Sequence, residues 1–348
     1  MTALSYDDIT LVPRFNNIPS RQGVDTSVEL GDFKLRIPLL SSNMDTVTGA
    51  RMSQEMYRLG GLGCLHRFCS IGDNVQMYRS GTMDMDDPGE AIVSLGVNEG
   101  LDRFIALHEV GARLFCVDIA HGHSRAVGDM IKAMRNAIPE VFIVAGNVCT
   151  PEGAEYLAEV GADAIKVGIG PGSACSTRVQ TGFGVPQFSA IQRCSHVECF
   201  IIADGGIRTP GDVVKAFVAG ADAVMLGGML SGTDETPGEF EEEPIWETAS
   251  PAGFQHRKVK VFRGMASQSA QEDYMGSQSS WKTAEGVSMR VEAKGPVEGV
   301  VQDIMGGLRS GMTYCGANSI AQIRTRGRWE QITGAGAAEG RPHGKGRL

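Results

Sequence analysis

Short apolar runs recur along the chain, each closing on a cluster of Gly, Asp, Asn or His. They are IPLLSSN at 37–43, GLGCLHR at 61–67, AIVSLGV at 91–97, LFCVDIAHG at 114–122, VFIVAGN at 141–147, ADAIKVGIG at 162–170, CFIIADGGI at 199–207 and ADAVMLGGM at 221–229. Their apolar character is continuous rather than alternating, which suits strands buried on both faces, as in a parallel sheet. Between them lie segments with apolar residues at three-and-four spacing: LDRFIALHEVGA, SRAVGDMIKAMRNA, PEGAEYLAEVGA and PGDVVKAFVAGA. That spacing predicts amphipathic helices. Three of them end in Gly-Ala, and two open on Thr-Pro (Thr150–Pro151 and Thr209–Pro210), a helix cap followed by proline at the first helical position. Eight strands alternating with helices point to α/β architecture, a closed (β/α)8 barrel more than an open doubly wound sheet.

Two regions break this rhythm. Residues 231–299 hold the acidic run DETPGEFEEEP and a polar stretch around 265–295, placed after the last strand, where a mobile flap over an active site is expected. The alternative is a plain surface loop. One domain is predicted over 1–334, flap included, and 335–348 is expected to be a disordered tail because large apolar residues cease after Ile332.

The 46 glycines pair up after the apolar runs, where tight turns and phosphate sites need bare backbone. A net charge of -9 disfavours a nucleic-acid partner. No run reaches the roughly 18 apolar residues of a membrane span. No secretory signal is seen at the start, and eight cysteines without a CxxC pair fit a reducing, cytoplasmic setting.

In a barrel, chemistry gathers at the C-terminal ends of the strands. Those ends carry Asn43, Asp45, His66, Arg67, Asp118, His121, Asn147, the loop Gly168–Thr177, Asp204 and Gly227–Gly228. DGGI and LGGM follow strands seven and eight, where barrels bind phosphate through backbone amides. Cys175 lies outside any apolar run, in the glycine-rich loop GIGPGSACST, and has the setting of an activated nucleophile or of an ordinary loop thiol.

That loop, together with SSNMDTVT at 41–48, DIAHGHS at 118–124, AGNV at 145–148, DGGI at 204–207 and GGLRSGMTYCGA at 306–317, closely resembles the IMP dehydrogenase/GMP reductase family. The resemblance runs from Tyr6 to about Ile323. It implies a (β/α)8 barrel, a homotetramer, and attack of Cys175 on purine C2. Ser173, Asp204, Gly206, Gly227 and Gly228 match positions that hold ribose and phosphate, and Gly264, Met265, Ser267 and Lys282 join them as expected substrate ligands. Asp118 and Asn147 match the cofactor side. Gly168, Gly170 and Cys175 match carbonyls that in many members hold a potassium ion.

Only about two dozen residues (68–90) join the second and third strands, where dehydrogenases usually carry regulatory CBS modules. The flap has no arginine between Arg263 and Arg290, whereas dehydrogenases are expected to place an Arg-Tyr pair there; Asp273–Tyr274 is the nearest candidate. WKTAEG resembles the reductase motif and brings Glu285 to pair with Thr177 in catalysis. These features imply a GMP reductase using NADPH, with NADH as the alternative cofactor. Two other readings stay open: an IMP dehydrogenase without CBS modules, to which DIAHGHS and TGFGVPQ lean, and a catalytically silent nucleotide-binding regulatory subunit.

Overall fold

The computed structural model describes residues 2–86, 90–250, 253–276 and 283–341. Eight parallel strands close into a barrel: β1 (Leu39–Ser41), β2 (Leu62–Leu65), β3 (Ile92–Leu95), β4 (Leu114–Asp118), β5 (Phe142–Val148), β6 (Ala164–Val167), β7 (Phe200–Asp204) and β8 (Ala223–Leu226). They coincide with the eight apolar runs. Closure comes from β8 beside β1, with Val224, Met225 and Leu226 opposite Leu39, Leu40 and Ser41. The pleat explains why the runs lack alternation. Leu40, Cys64, Ile92, Cys116, Val144, Ile202 and Met225 fill the barrel interior, while Leu39, Leu65, Val93, Val117, Ile165 and Ala203 face the helices outside. Both sides are apolar, so each strand reads as hydrophobic throughout. A short hairpin, Val28–Leu30 with Phe33–Leu35, plugs the N-terminal end of the barrel with Leu30 and Leu35.

The four expected helices form at Asp102–His108, Arg125–Ala137, Pro151–Glu159 and Pro210–Ala219. Thr150 Oγ1 accepts from Gly153 N, and Thr209 with Asp212 forms a reciprocal cap on the helix after β7. Such caps are worth about 1 kcal/mol each. One helix, Ile71–Thr82, lies in the connection between β2 and β3. No described helix is long and apolar enough to cross a membrane.

Two expectations are corrected. The end of the acidic run read as loop becomes strand, from Glu241 on: Glu241–Ser250 (β9) pairs with Gly253–Arg263 (β10), which pairs with Ser288–Glu292 (β11). The acidic side chains tolerate this because basic residues face them across the sheet, Arg257 pairing with Glu243 and Glu292, and Arg290 with Glu241. The tail begins with a helix, Gly334–Glu339, in which Thr333 caps Gly336 N at 3.2 Å and three alanines supply helix propensity. Residues 342–348 of the expected tail lie outside the described residues.

Candidate active site

The C-terminal ends of the strands surround a cavity of about 610 Å³, roofed by the segment between β10 and β11. Its floor is a buried charge cluster. Lys166, from β6, extends Nζ to Asp118 on β4 and to Asp204 on β7, each at 2.7 Å. Asn43 Nδ2 donates to Asp118 at 2.8 Å, and Asn147 Nδ2 donates to Asp204 at 2.9 Å. Burial alone would raise the Asp118 carboxyl, but the Lys166 ammonium and the Asn43 amide outweigh it and hold the group below its ordinary range. Burial would lower the Lys166 ammonium, and the two carboxylates reverse that and lift it well above its usual value. Three side chains from three strands are thereby held in place beneath the cavity.

The loop after β6 carries Cys175. Gly168 and Gly170 take left-handed φ of 150° and 84°, and Arg178 packs onto Gly170 while donating to the Ile169 carbonyl at 3.3 Å. Cys175 is exposed to the cavity, and its Sγ donates to Thr177 Oγ1 at 3.1 Å. The returning flap is stitched to this loop by backbone. Ser176 N donates to Glu285 O at 2.8 Å, Val287 N to Ala174 O at 2.9 Å, and Cys175 forms a bridge with Gly286. Glu285 therefore lines the cavity beside the thiol, although 110 residues separate the two (285 minus 175).

Ser173 Oγ lies against Gly228, where an added Cβ would meet it at 2.7 Å and displace the hydroxyl. Gly206, at φ 80°, and Gly227 stand in the same wall. Gly264 and Met265 line the roof, and Met265 Sδ accepts from Asp45 N at 3.3 Å. Ser267, expected among the substrate ligands, is instead buried, and its hydroxyl caps Ala270 N at 3.3 Å at the start of the helix Gln268–Met275. Lys282 lies outside the described residues. His121 is exposed and stands outside the cavity wall, and Asp45 is paired with Arg263. Burial pulls the His66 imidazole below its ordinary range.

Sequence reasoning missed Lys166. Its signal was present: a single lysine inside the otherwise apolar run ADAIKVGIG, which can be buried only if carboxylates meet it. Among the described residues, buried side-chain polar atoms without a partner gather in the cavity wall, at Tyr6 Oη, Arg67 Nε, Asn147 Oδ1 and Gln187 Oε1. Such atoms are costly unless a ligand or water completes them, which marks the cavity as a binding site.

The IMP dehydrogenase / GMP reductase domain model matches residues 3–343. The chain belongs to this family. An inosine-5'-monophosphate dehydrogenase of Halalkalibacterium halodurans is 40% identical over 293 residues, covering 81% of this chain and 58% of that protein. The chain thus spans little more than half the length of that relative. Among solved structures, a GMP reductase from Trypanosoma brucei in complex with guanosine 5'-monophosphate superposes with a TM-score of 0.90 at 31% identity, covering 99% of this chain and 98% of that one. An inosine 5'-monophosphate dehydrogenase from Legionella pneumophila superposes with 0.83 at 46% identity, covering 96% and 100%. Family membership makes the chain an oxidoreductase of purine nucleotides on a (β/α)8 barrel.

The orphaned Asn147 carbonyl oxygen beside Asp118 suits the amide of a nicotinamide, so those two residues fit the cofactor. The potassium site fares differently. The Gly168 carbonyl already accepts from Asn147 Nδ2 at 2.7 Å. The second lone pair of that carbonyl stays open, so an ion there would share the Gly168 oxygen with Asn147.

Proposed function

We propose that the protein is a GMP reductase, converting GMP to IMP and ammonia through a covalent bond between Cys175 and purine C2. The observation that carries this reading is the arrangement of Cys175, Thr177 and Glu285 across the loop–flap stitch, combined with the engagement of Arg263, Asp273, Tyr274 and Arg290 among the described flap residues. The flap holds no arginine from Gly264 to Met289. Arg263 is engaged by Asp45 and Asp273, Arg290 by Glu241, and the Tyr274 hydroxyl donates to Glu99 at 3.2 Å. Neither Asp273 nor Tyr274 is therefore free to activate water.

In the forward reaction the Cys175 thiolate forms a bond to C2. Thr177 and Glu285 relay a proton to the departing amino nitrogen, the C2–N bond breaks, and ammonia leaves. Without that proton the leaving group would be an amide anion, so the relay is the demanding step; such general acid–base help is typically worth about 10²–10⁴-fold. The nicotinamide, when bound, supplies hydride to C2. The C2–S bond then breaks, returning the thiolate and releasing IMP. Asp118 and Asn147, held by Lys166 and Asp204, would bind the cofactor, with NADPH as the expected form and NADH as its alternative. Ser173 and Gly206, Gly227 and Gly228 hold the phosphate.

The dehydrogenase reading is favoured by the higher identities to the Legionella and Halalkalibacterium dehydrogenases, 46% and 40% against 31% for the Trypanosoma reductase, and by the motifs DIAHGHS and TGFGVPQ. The deciding experiment follows reduced nicotinamide with GMP plus NADPH and with IMP plus NAD. Consumption with GMP, accompanied by ammonia, supports the reductase. Production with IMP overturns it.

A further inference from the structure

The end of the cavity beyond Gly206 is closed by the N-terminal segment Ser5–Asp7 rather than by a barrel loop. This segment is pinned at several points. Leu4 N donates to Ser189 Oγ at 2.8 Å, Lys215 Nζ donates to Tyr6 O at 2.7 Å, and Arg208 pairs with Asp7 at 2.6 Å. Tyr6 is only 2% exposed, and its ring edge lies 3.5 Å from the point where a Cβ on Gly206 would stand. Its hydroxyl is buried against the cavity with no hydrogen-bond partner. On the other side of Gly206, Gln187 spends Nε2 on the Val167 and Asp204 carbonyls, at 2.7 and 3.1 Å. Its Oε1 is likewise without a partner.

A phenylalanine would fill this space without leaving an orphaned oxygen, so the hydroxyl costs the free protein stability for no contact within the fold. Burial first, then the Asp212 and Asp204 charges, push the phenol well above its ordinary range, so it stays protonated and can donate. A donor on a ring packed against Gly206, at the end of the cavity where the glycine turns stand, matches an anionic oxygen. We propose that the Tyr6 hydroxyl donates a hydrogen bond to the nucleotide phosphate and is a substrate-binding residue supplied by the N-terminal segment. This rests on the reading of the cavity as a purine-nucleotide site.

The test is Tyr6→Phe, which removes one oxygen and keeps the ring. Three quantities are read on the full chain: the melting temperature without ligand, the GMP dissociation constant by calorimetry, and the inhibition constant of guanosine, which lacks the phosphate. The expected result is a melting temperature equal to or above the native one. GMP binding should weaken by about tenfold to a hundredfold, as for a lost hydrogen bond to a charged group, with guanosine unaffected. Loss of thermal stability with unchanged GMP binding overturns the proposal and assigns the hydroxyl to a structural water. Equal weakening of GMP and guanosine overturns it too, since the wall would then matter only by shape. If the native chain binds neither GMP nor IMP, the nucleotide reading itself has failed and this proposal falls with it.

Discussion

Replacing Lys166 with methionine tests whether the buried cluster at the cavity floor is organised by its cation. The side chain is 3% exposed and makes two ion pairs at 2.7 Å, so its removal strands the carboxylates of Asp118 and Asp204 in a buried site. Breaking a buried pair by deleting one partner costs about 3–5 kcal/mol. With an unfolding entropy of about 2.1 cal/mol/K per residue over 348 residues, the chain loses about 0.7 kcal/mol per degree near its midpoint. The expected fall in melting temperature is therefore about 4–7 °C.

The pH dependence adds a sign. In the native chain the depressed Asp118 contributes stability that is present above its unfolded value of about 3.9 and lost as pH falls through the folded one. The elevated Lys166 contributes stability present below about 10.4 and lost as pH rises through its folded value. Between those limits the cluster is insensitive to pH. Without the lysine, the stranded carboxylates titrate upward, and protonation relieves them. The gap between native and variant should thus narrow when scanning calorimetry is repeated at about pH 5.5 instead of about pH 8. A loss under about 1 °C, or a gap that widens on acidification, would refute the reasoning.

Cys175→Ala should abolish turnover while leaving GMP affinity within about threefold, read by calorimetry, because the thiol contributes a bond and little binding surface; retained turnover rules out covalent catalysis. Glu285→Gln keeps the backbone stitch to Ser176 and should lower kcat by about 10²–10⁴-fold with little change in nucleotide KM. Rapid-mixing experiments should place that loss in ammonia release. A proportionate rise in KM would instead make Glu285 a binding residue.

The barrel was legible because a strand buried on both faces announces itself as an unbroken apolar run, and because Thr150 and Thr209 mark helix starts that the structure keeps. The sheet built by Glu241–Ser250, Gly253–Arg263 and Ser288–Glu292 was not. Its strands alternate only briefly, at KVKVF (258–262) and SMRVE (288–292), and are interleaved with charges that pair across the sheet, such as Arg257 with Glu243, so their signal is weaker than an unbroken apolar run. At the site, residues in glycine-rich turns stood out by composition. Lys166 was hidden by the assumption that a strand core is apolar, and Tyr6 by its distance in sequence from every loop of the barrel mouth. Ser267, expected from the resemblance as a substrate ligand, has its hydroxyl spent on a helix cap, a role its place in the sequence does not reveal.

The backbone stitch between residues 174–176 and 285–287 has an evolutionary consequence. Glu285 is registered against the cysteine loop by amide–carbonyl pairs that any side chain can make, and the turn at Gly264–Ser267 is tied to the same short stretch through Glu285 N and Gly264 N. The outer part of the flap, between these ties, is thereby insulated from the nucleophile's geometry. Segments of different length and charge can be exchanged there while the acid stays in register with the thiol. A descendant of this chain could acquire a water-activating base in that outer stretch, and so reverse the fate of the same covalent adduct, without rebuilding the chemistry beneath it.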